Sequence, residues 1–581
     1  MKMLRGAEWF GGKDLEGFLH RAGLKVQGWP EKSFADRPII GIANSWSEAT
    51  HCNSNLRELS EHVKRGVIGA GGFPLEFPTI SLGEFFLSPT SMYCRNLMSM
   101  DVEEMIRGLP IDGVVLLSGC DKTTPAMLMG AASANIPTIL LTSGPQLNGN
   151  WKGETLGSCT DCRRYWSELR AGNITQDEYN SLETAIYRSK GHCMVMGTAS
   201  TMASIAEVLG MTLPDGATIP GADARRLTMA ENTGIAAVEL VNSGLTPSKI
   251  MNEESFQNAI KVLLALGGST NAVIHLTALA GRLGIKLNLS MFDSQSKEIP
   301  VIANLKPSGK YLMEDFYYAG GIGALINELS DFLNLECKTV TGTSLGENTS
   351  NAECFNKDVI RSVNNPIYDE GGVAILRGSL APDGAIIKHS AASKDLLEHV
   401  GRAVVFENPT DLKNRIDDEK LDVKPDDILV LKNAGPIGGP GMPEAGYLPL
   451  PKKLLKSGVR DMIRISDARM SGTAFGTIVL HVSPESAVGG PLALVKNGDL
   501  IKLDVSNRTL DLLLDESEVE IRRKRWKQPT SPEYFNRGYG KIYVEHIQQA
   551  PEGCDFDFLN GYTSVETHID VDHGSAGHHT G

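Results

Sequence analysis

The stretch Ser118-Gly-Cys-Asp-Lys-Thr-Thr-Pro-Ala-Met-Leu-Met-Gly-Ala131 sets a thiol, a carboxylate and an amine side by side at Cys120, Asp121 and Lys122. They follow the apolar run Ile111 to Leu117, which reads as a buried strand. Cys52 has a similar setting, past the strand-like Pro38–Ala43 and just before a helical stretch whose expected caps are Asn53 or Ser54. Cys193 also precedes a helical stretch. The three are far apart in sequence, so only the fold can bring them together. A helix N-terminus carries partial positive charge and unpaired N–H groups. Both favour a thiolate and the anionic sulfides of an iron–sulfur cluster. Three thiolates instead of four would leave one iron with an open position, where a Lewis acid works. The competing reading is a free Cys as a small buried hydrophobe, and for this trio the two weigh evenly.

Three acids stand in comparable places. Asp121 abuts Cys120, Glu84 lies in Pro78-Thr-Ile-Ser-Leu-Gly-Glu-Phe-Phe86 after a short strand, and Glu444 lies in a Gly/Pro-rich loop after the strand Asp427–Leu431. Carboxylates on loops at strand ends suit a hard cation such as Mg2+; each alone also reads as a solvated loop acid. Lys122 would repel a metal as an ammonium. It fits if it contacts substrate oxygens, or if it is carbamylated and becomes a carboxylate. Ser471 precedes Gly472 in Arg464-Ile-Ser-Asp-Ala-Arg-Met-Ser-Gly-Thr-Ala-Phe-Gly476 and could be a nucleophile, a base if ionised, or a turn residue. No G-x-S-x-G elbow surrounds it, which weakens a hydrolase reading. Cys159 and Cys162 make a C-x-x-C, a spacing used by zinc and redox sites. No second C-x-x-C exists, and Asp161, Arg163 and Arg164 read as a solvated surface, so the pair reads as incidental.

The elements that must position these groups change character along the chain. From residue 38, short apolar runs alternate with helical stretches such as 55–67, 125–134, 202–209 and 254–266, the grammar of an α/β domain with a mostly parallel sheet. Past residue 365 come short strand-like runs at 372–376, 384–388, 403–406, 427–431, 462–465 and 477–482, split by Gly, Pro, Asp and Asn. They predict a β-rich, barrel-like second domain. The expected division is 1–365, with the cysteines and most acids, and 366–581, with Glu444 and Ser471. At 581 residues the chain is too long for one compact core. A net charge of -14 argues against a nucleic-acid partner. No apolar run reaches the ~20 residues of a membrane helix, and the start has no signal core, so a cytoplasmic protein is expected. The tail after Val565 carries His568, His573, His578 and His579. It reads either as a disordered end or as an arm placing an imidazole at a neighbouring subunit's site.

At these residues the sequence resembles the dihydroxyacid dehydratase / phosphogluconate dehydratase family. Cys120-Asp-Lys-Thr-Thr-Pro-Ala126, with Gly130 four further on, fits one family motif. Ser466-Asp-Ala-Arg-Met-Ser-Gly472 fits another, usually Thr-Asp-Gly/Ala-Arg-x-Ser-Gly. Two departures are Ser466 for Thr and Arg464 for an apolar residue; the second would fit a different substrate branch. The resemblance runs over nearly the whole chain, through Gly267–Asn271 and Gly438–Glu444. It implies an iron–sulfur cluster on Cys52, Cys120 and Cys193, of 2Fe-2S type with 4Fe-4S the alternative. It implies Mg2+ on Glu84, Asp121, Glu444 and a carbamylated Lys122, and Ser471 as the base. The implied site lies between the two domains of a homodimer or homotetramer. The implied reaction is loss of water from a 2,3-dihydroxy acid to give a 2-keto-3-deoxy acid.

Within the family, Ser88–Pro110 and Arg464–Thr477 resemble the sugar-acid branch, which handles pentonates such as L-arabinonate or D-xylonate. Glu84, where branched-chain members usually carry Asp, points the same way. The alternative is 2,3-dihydroxyisovalerate in branched-chain amino-acid synthesis. Two other classes fit less well. An electron-transfer iron–sulfur protein needs four cysteines, usually closely spaced, and a hydrolase needs a His facing its nucleophile. His192 beside Cys193 is the obvious pairing, and sequence neighbours seldom face each other.

Overall fold

The computed structural model of the chain describes residues 4–530 and 532–563, so the tail histidines lie outside the described residues. The N-terminal half holds four strands, β1 (Ile39–Asn44), β2 (Phe73–Pro78), β3 (Gly113–Ser118) and β4 (Thr138–Thr142). They form a parallel sheet in the order β2-β1-β3-β4. β1, β3 and β4 are buried along their whole length. A parallel sheet covered by helices demands such unbroken apolar runs. The helices that matter here are α1 (Leu56–Gly69), α2 (Arg95–Gly108), α3 (Thr123–Ala134), α4 (Ser158–Ala171), α5 (Thr198–Val208), α6 (Ala224–Ser243), α7 (Glu253–Ala265) and α8 (Asn271–Arg282). α1 packs on α6, which packs on β3 and β4, and α2 packs on α3. Every residue of α3 is buried. The cap of α1 differs from expectation: Asn55 occupies that position without a side-chain bond, while Asn53 Nδ2 donates to Ser45 O at 2.9 Å. Asn53 is taken up in bracing the turn that carries Cys52.

The second half contains β5 (Ala374–Gly378), β6 (Ala381–Ile387), β7 (Glu398–Phe406), β8 (Ile428–Leu431), β9 (Arg464–Ser466), β10 (Ile478–Ser483), β11 (Leu500–Asp504) and β12 (Thr509–Leu512). They close into a barrel in the order β8-β9-β10-β6-β5-β12-β11-β7. Alternate residues face opposite sides, as the strand period of two requires. Ala403, Val405, Ile428 and Val430 join one core. Val404, Phe406, Leu429 and Leu431 join another, with Leu412 and Leu454 from short helices outside the barrel. Eight strands leave an interior that side chains can fill, so the chemistry belongs at the barrel's end.

Beyond the barrel the chain returns to the first half. Arg95, buried in α2, donates to Gly553 O at 3.0 Å and Cys554 O at 2.7 Å. Arg282, at the end of α8, pairs with Asp555 at 2.6 Å, with both side chains buried. No helix among the described residues is long and apolar enough to cross a membrane.

Candidate active site

The carboxyl ends of the parallel strands open on one edge, the place where ligands gather in such sheets. Cys52 lies in a turn past β1, Glu84 in the loop past β2, and Cys120 two residues past β3. Past β4, Pro145 bridges to His192, the neighbour of Cys193. Gly119 lets two of these turns meet. A Cβ there would lie 2.2 Å from Cys52 O and 2.4 Å from Ser143 Oγ. Cys52 and Cys120 are buried and Cys193 half-buried.

The cysteines act on one another. The Cys120 thiol is the largest influence pushing the Cys52 thiol well above its ordinary range, followed by burial, Cys193 and Asp121. Burial, then Cys159, Cys120 and Asp121, raise Cys193 likewise. Three sulfurs that repel as thiolates need a cationic centre between them. Three thiols that influence one another, each just ahead of a helix, are a donor set that fits an iron–sulfur group.

Glu84, Asp121 and Glu444 do form such a group, with ligand oxygens all within 4.8 Å of one another. Lys122 Nζ stands among them, 2.5 Å from Asp121, 3.2 Å from Glu84 and 3.5 Å from Glu444, and is fully buried. Burial and Arg469 pull its pKa down, but the three carboxylates outweigh them and raise it. As an ammonium, Lys122 occupies the space a cation would take. Glu84 is held well below the usual carboxylate range: burial acts to raise it, and Lys122 and Arg469 more than offset that. It accepts from Thr90 Oγ1 at 2.7 Å and from the Ser91 hydroxyl. The oxygen-rich group suits a hard divalent ion.

Arg469, which the sequence reading left without a role, joins the two halves. Nη1 donates to Glu444 at 2.7 Å, and Nη2 donates to Thr90 Oγ1 at 2.6 Å and lies 3.4 Å from Glu84. Two residues on, Ser471 reaches Thr473 Oγ1 at 2.8 Å. Arg163 Nη1 donates to the same Thr473 oxygen at 2.6 Å. Arginine can only donate, so the Thr473 proton is left to point at Ser471 Oγ. Gly472 seats this turn, because a Cβ there would come 2.6 Å from Thr198 N at the start of α5. Asn271, at the start of α8, donates to Met470 O at 3.0 Å.

The surroundings of the C-x-x-C correct the sequence reading. Asp161 is buried and bonded to Lys306 at 2.8 Å, and Arg163 is engaged with Thr473, so this is no solvated surface. The Asp161 and Arg163 partners lie more than a hundred residues away, beyond the reach of a local pattern. Cys162 holds the Cys159 thiol below its ordinary range, at about 6. Arg464 is also buried, paired with Asp461 at 2.6 Å. Its guanidinium and that of Arg163 both lie over the Tyr447 ring, 5.3 and 5.2 Å from the centroid.

Descriptions of the dihydroxy-acid/6-phosphogluconate dehydratase N-terminal and C-terminal regions match residues 37–348 and 358–554. The chain belongs to this family, and so to the dehydratases, lyases that remove water. It is 51% identical to an L-arabonate dehydratase of Azospirillum brasilense, over 97% of this chain and 98% of that one. It is 47% identical to a 6-deoxy-6-sulfo-D-gluconate dehydratase of Pseudomonas putida, over 97% of each. It is 39% identical to a dihydroxy-acid dehydratase of Ignicoccus hospitalis, over 93% of this chain and 98% of that one.

Proposed function

We propose that this protein dehydrates a sugar acid, a pentonate such as L-arabinonate or D-xylonate, to the 2-keto-3-deoxy acid. The observation that carries the reading is the adjacency of two different donor sets. Cys120 belongs to a group of three cysteines, and Asp121 belongs to the carboxylate group with Glu84 and Glu444. One strand end would thus fix the spacing of the two metal centres. Higher identity to the sugar-acid dehydratases than to the dihydroxy-acid enzyme supports the substrate class.

Cys52, Cys120 and Cys193 would hold a 2Fe-2S cluster, and Glu84, Asp121, Glu444 and carbamylated Lys122 would hold Mg2+. When bound, these groups supply Lewis acidity to the departing C3 hydroxyl and to the carboxylate and C2 hydroxyl. Ser471 takes the C2 proton. Thr473, its own oxygen engaged by Arg163, donates to Ser471 Oγ and favours the ionised serine. Arg469 keeps Glu84 and Glu444 at one distance, so that the barrel's serine meets a substrate held by the first half.

The test is turnover on protein purified without oxygen, against a panel of pentonates, hexonates, 6-sulfo-gluconate and 2,3-dihydroxyisovalerate. A pentonate should give the highest kcat/KM. Preference for dihydroxyisovalerate would overturn the substrate class, and preference for the sulfonated acid would move it within the class.

A further inference from the structure

The first turns of α4 touch the site at two places. The Ser158 hydroxyl donates to Met194 Sδ at 2.5 Å and accepts from Met194 N at 3.1 Å, next to Cys193. Thr160 Oγ1 donates to Thr473 O at 2.7 Å, and Arg163 donates to the Thr473 hydroxyl. Between them, Cys159 and Cys162 aim their sulfurs at one atom, Tyr187 Oη, at 3.1 and 3.7 Å. Positions i and i+3 of a helix put Cα atoms about 5 Å apart, within the roughly 4.4–6.8 Å that a disulfide spans. Both cysteines are free and half-buried. Tyr187 in turn lines a cavity of about 510 Å³ with His51, Phe85, Arg188 and Lys190. Its basic side chains suit an anionic visitor.

We propose that Cys159 and Cys162 are a reversible dithiol–disulfide pair that switches the adjoining site off, with a low-molecular-weight anionic disulfide as the oxidant. The Cys159 sulfur attacks one sulfur of R–S–S–R, forming a mixed disulfide and expelling R–S⁻. Cys162 gives up its proton, attacks the Cys159 sulfur and expels the second R–S⁻. The cysteines lose two electrons and two protons, and the reagent is reduced to two thiols. The new bond draws both sulfurs off Tyr187 Oη and tightens the turn between Ser158 and Arg163. Thr160 and Arg163 then lose their alignment on Thr473, and Ser471 loses its donor.

The experiment equilibrates the holoenzyme, without oxygen, in graded ratios of oxidised to reduced glutathione. Open thiols are then alkylated, and the peptide holding both cysteines is weighed by mass spectrometry, beside turnover and visible absorbance. The expected result is an unalkylated 159–162 disulfide at oxidising ratios, with turnover down at least about tenfold, absorbance unchanged, and full reversal by dithiothreitol. Cys162→Ser should keep its reduced turnover and resist inactivation. Three results would each overturn the proposal: complete alkylation at every ratio, a disulfide with turnover unmoved, or equal inactivation of Cys162→Ser. The peptide mass requires no substrate, so this outcome is independent of which acid the enzyme prefers.

Discussion

A serine hydroxyl is a weak base near neutral pH, and in the role proposed for Ser471 its contacts would offset that weakness. Its oxygen lies 2.8 Å from Thr473 Oγ1 and 3.4 Å from Thr473 N, so it is placed to receive two donors. Ser471→Ala should lower kcat by about 10²–10⁴-fold, the usual contribution of a positioned base, and leave the visible absorbance intact. Cys120→Ser should lose both. Thr473→Val should shift the acidic limb of the kcat/KM profile to higher pH, because it removes a bond to the charged form. An unmoved limb would assign the C2 proton to another group. The shared setting of Cys52, Cys120 and Cys193, each just ahead of a helix, was legible from local context. Arg163 and Arg469 were not, because an arginine's task depends on partners that only the fold supplies.

At the scale of elements, the loop that ends at Glu444 rests on a buried carboxylate. Glu485 accepts from Ile437 N at 2.9 Å, Gly438 N at 2.8 Å and Gln549 Nε2 at 2.8 Å. Burial, then the nearby Asp467, push its pKa up to about 7. An unfolded glutamate titrates near ~4.3. The folded pKa is the higher one, so this group's contribution to stability is complete below ~4.3 and is lost as pH rises through about 7. The Tm of the natural protein should therefore fall relative to Glu485→Gln across that window, as read by thermal unfolding. A difference that stays flat with pH would exclude the carboxylate as the cause. The core strands β1, β3 and β4 were plain in the sequence because full burial leaves no polar interruption. The strand before Glu84 had no clear limits, since Pro74 and Pro78 lie within β2, and Pro is tolerated there only because β2 is an edge. β11 and β12, which close the barrel, were not read. They are short, and Lys502 and Asp511 break their apolar run.

The whole molecule is tied together by contacts of long sequence range. Asp555→Ala would leave the buried Arg282 guanidinium with Ser99 and Ser133 at hydrogen-bond distance and, among the described residues, Glu103 as its remaining charged neighbour at 3.8 Å. Removing one member of a buried pair costs about 3–5 kcal/mol. Denaturant unfolding should show a loss of that size, and a change below about 1 kcal/mol would mean the pair is weakly coupled to folding. This contact is invisible to sequence reasoning, since 273 residues separate its members. That separation is also a delay. At roughly 5–20 residues per second, a ribosome needs roughly 14–55 s to travel from Arg282 to Asp555. For that time the nascent first half carries two open arginine sites, at Arg95 and Arg282, in surfaces that will later be buried. The first half is thus translated early, and these two contacts reach it only after every strand of the barrel has been made.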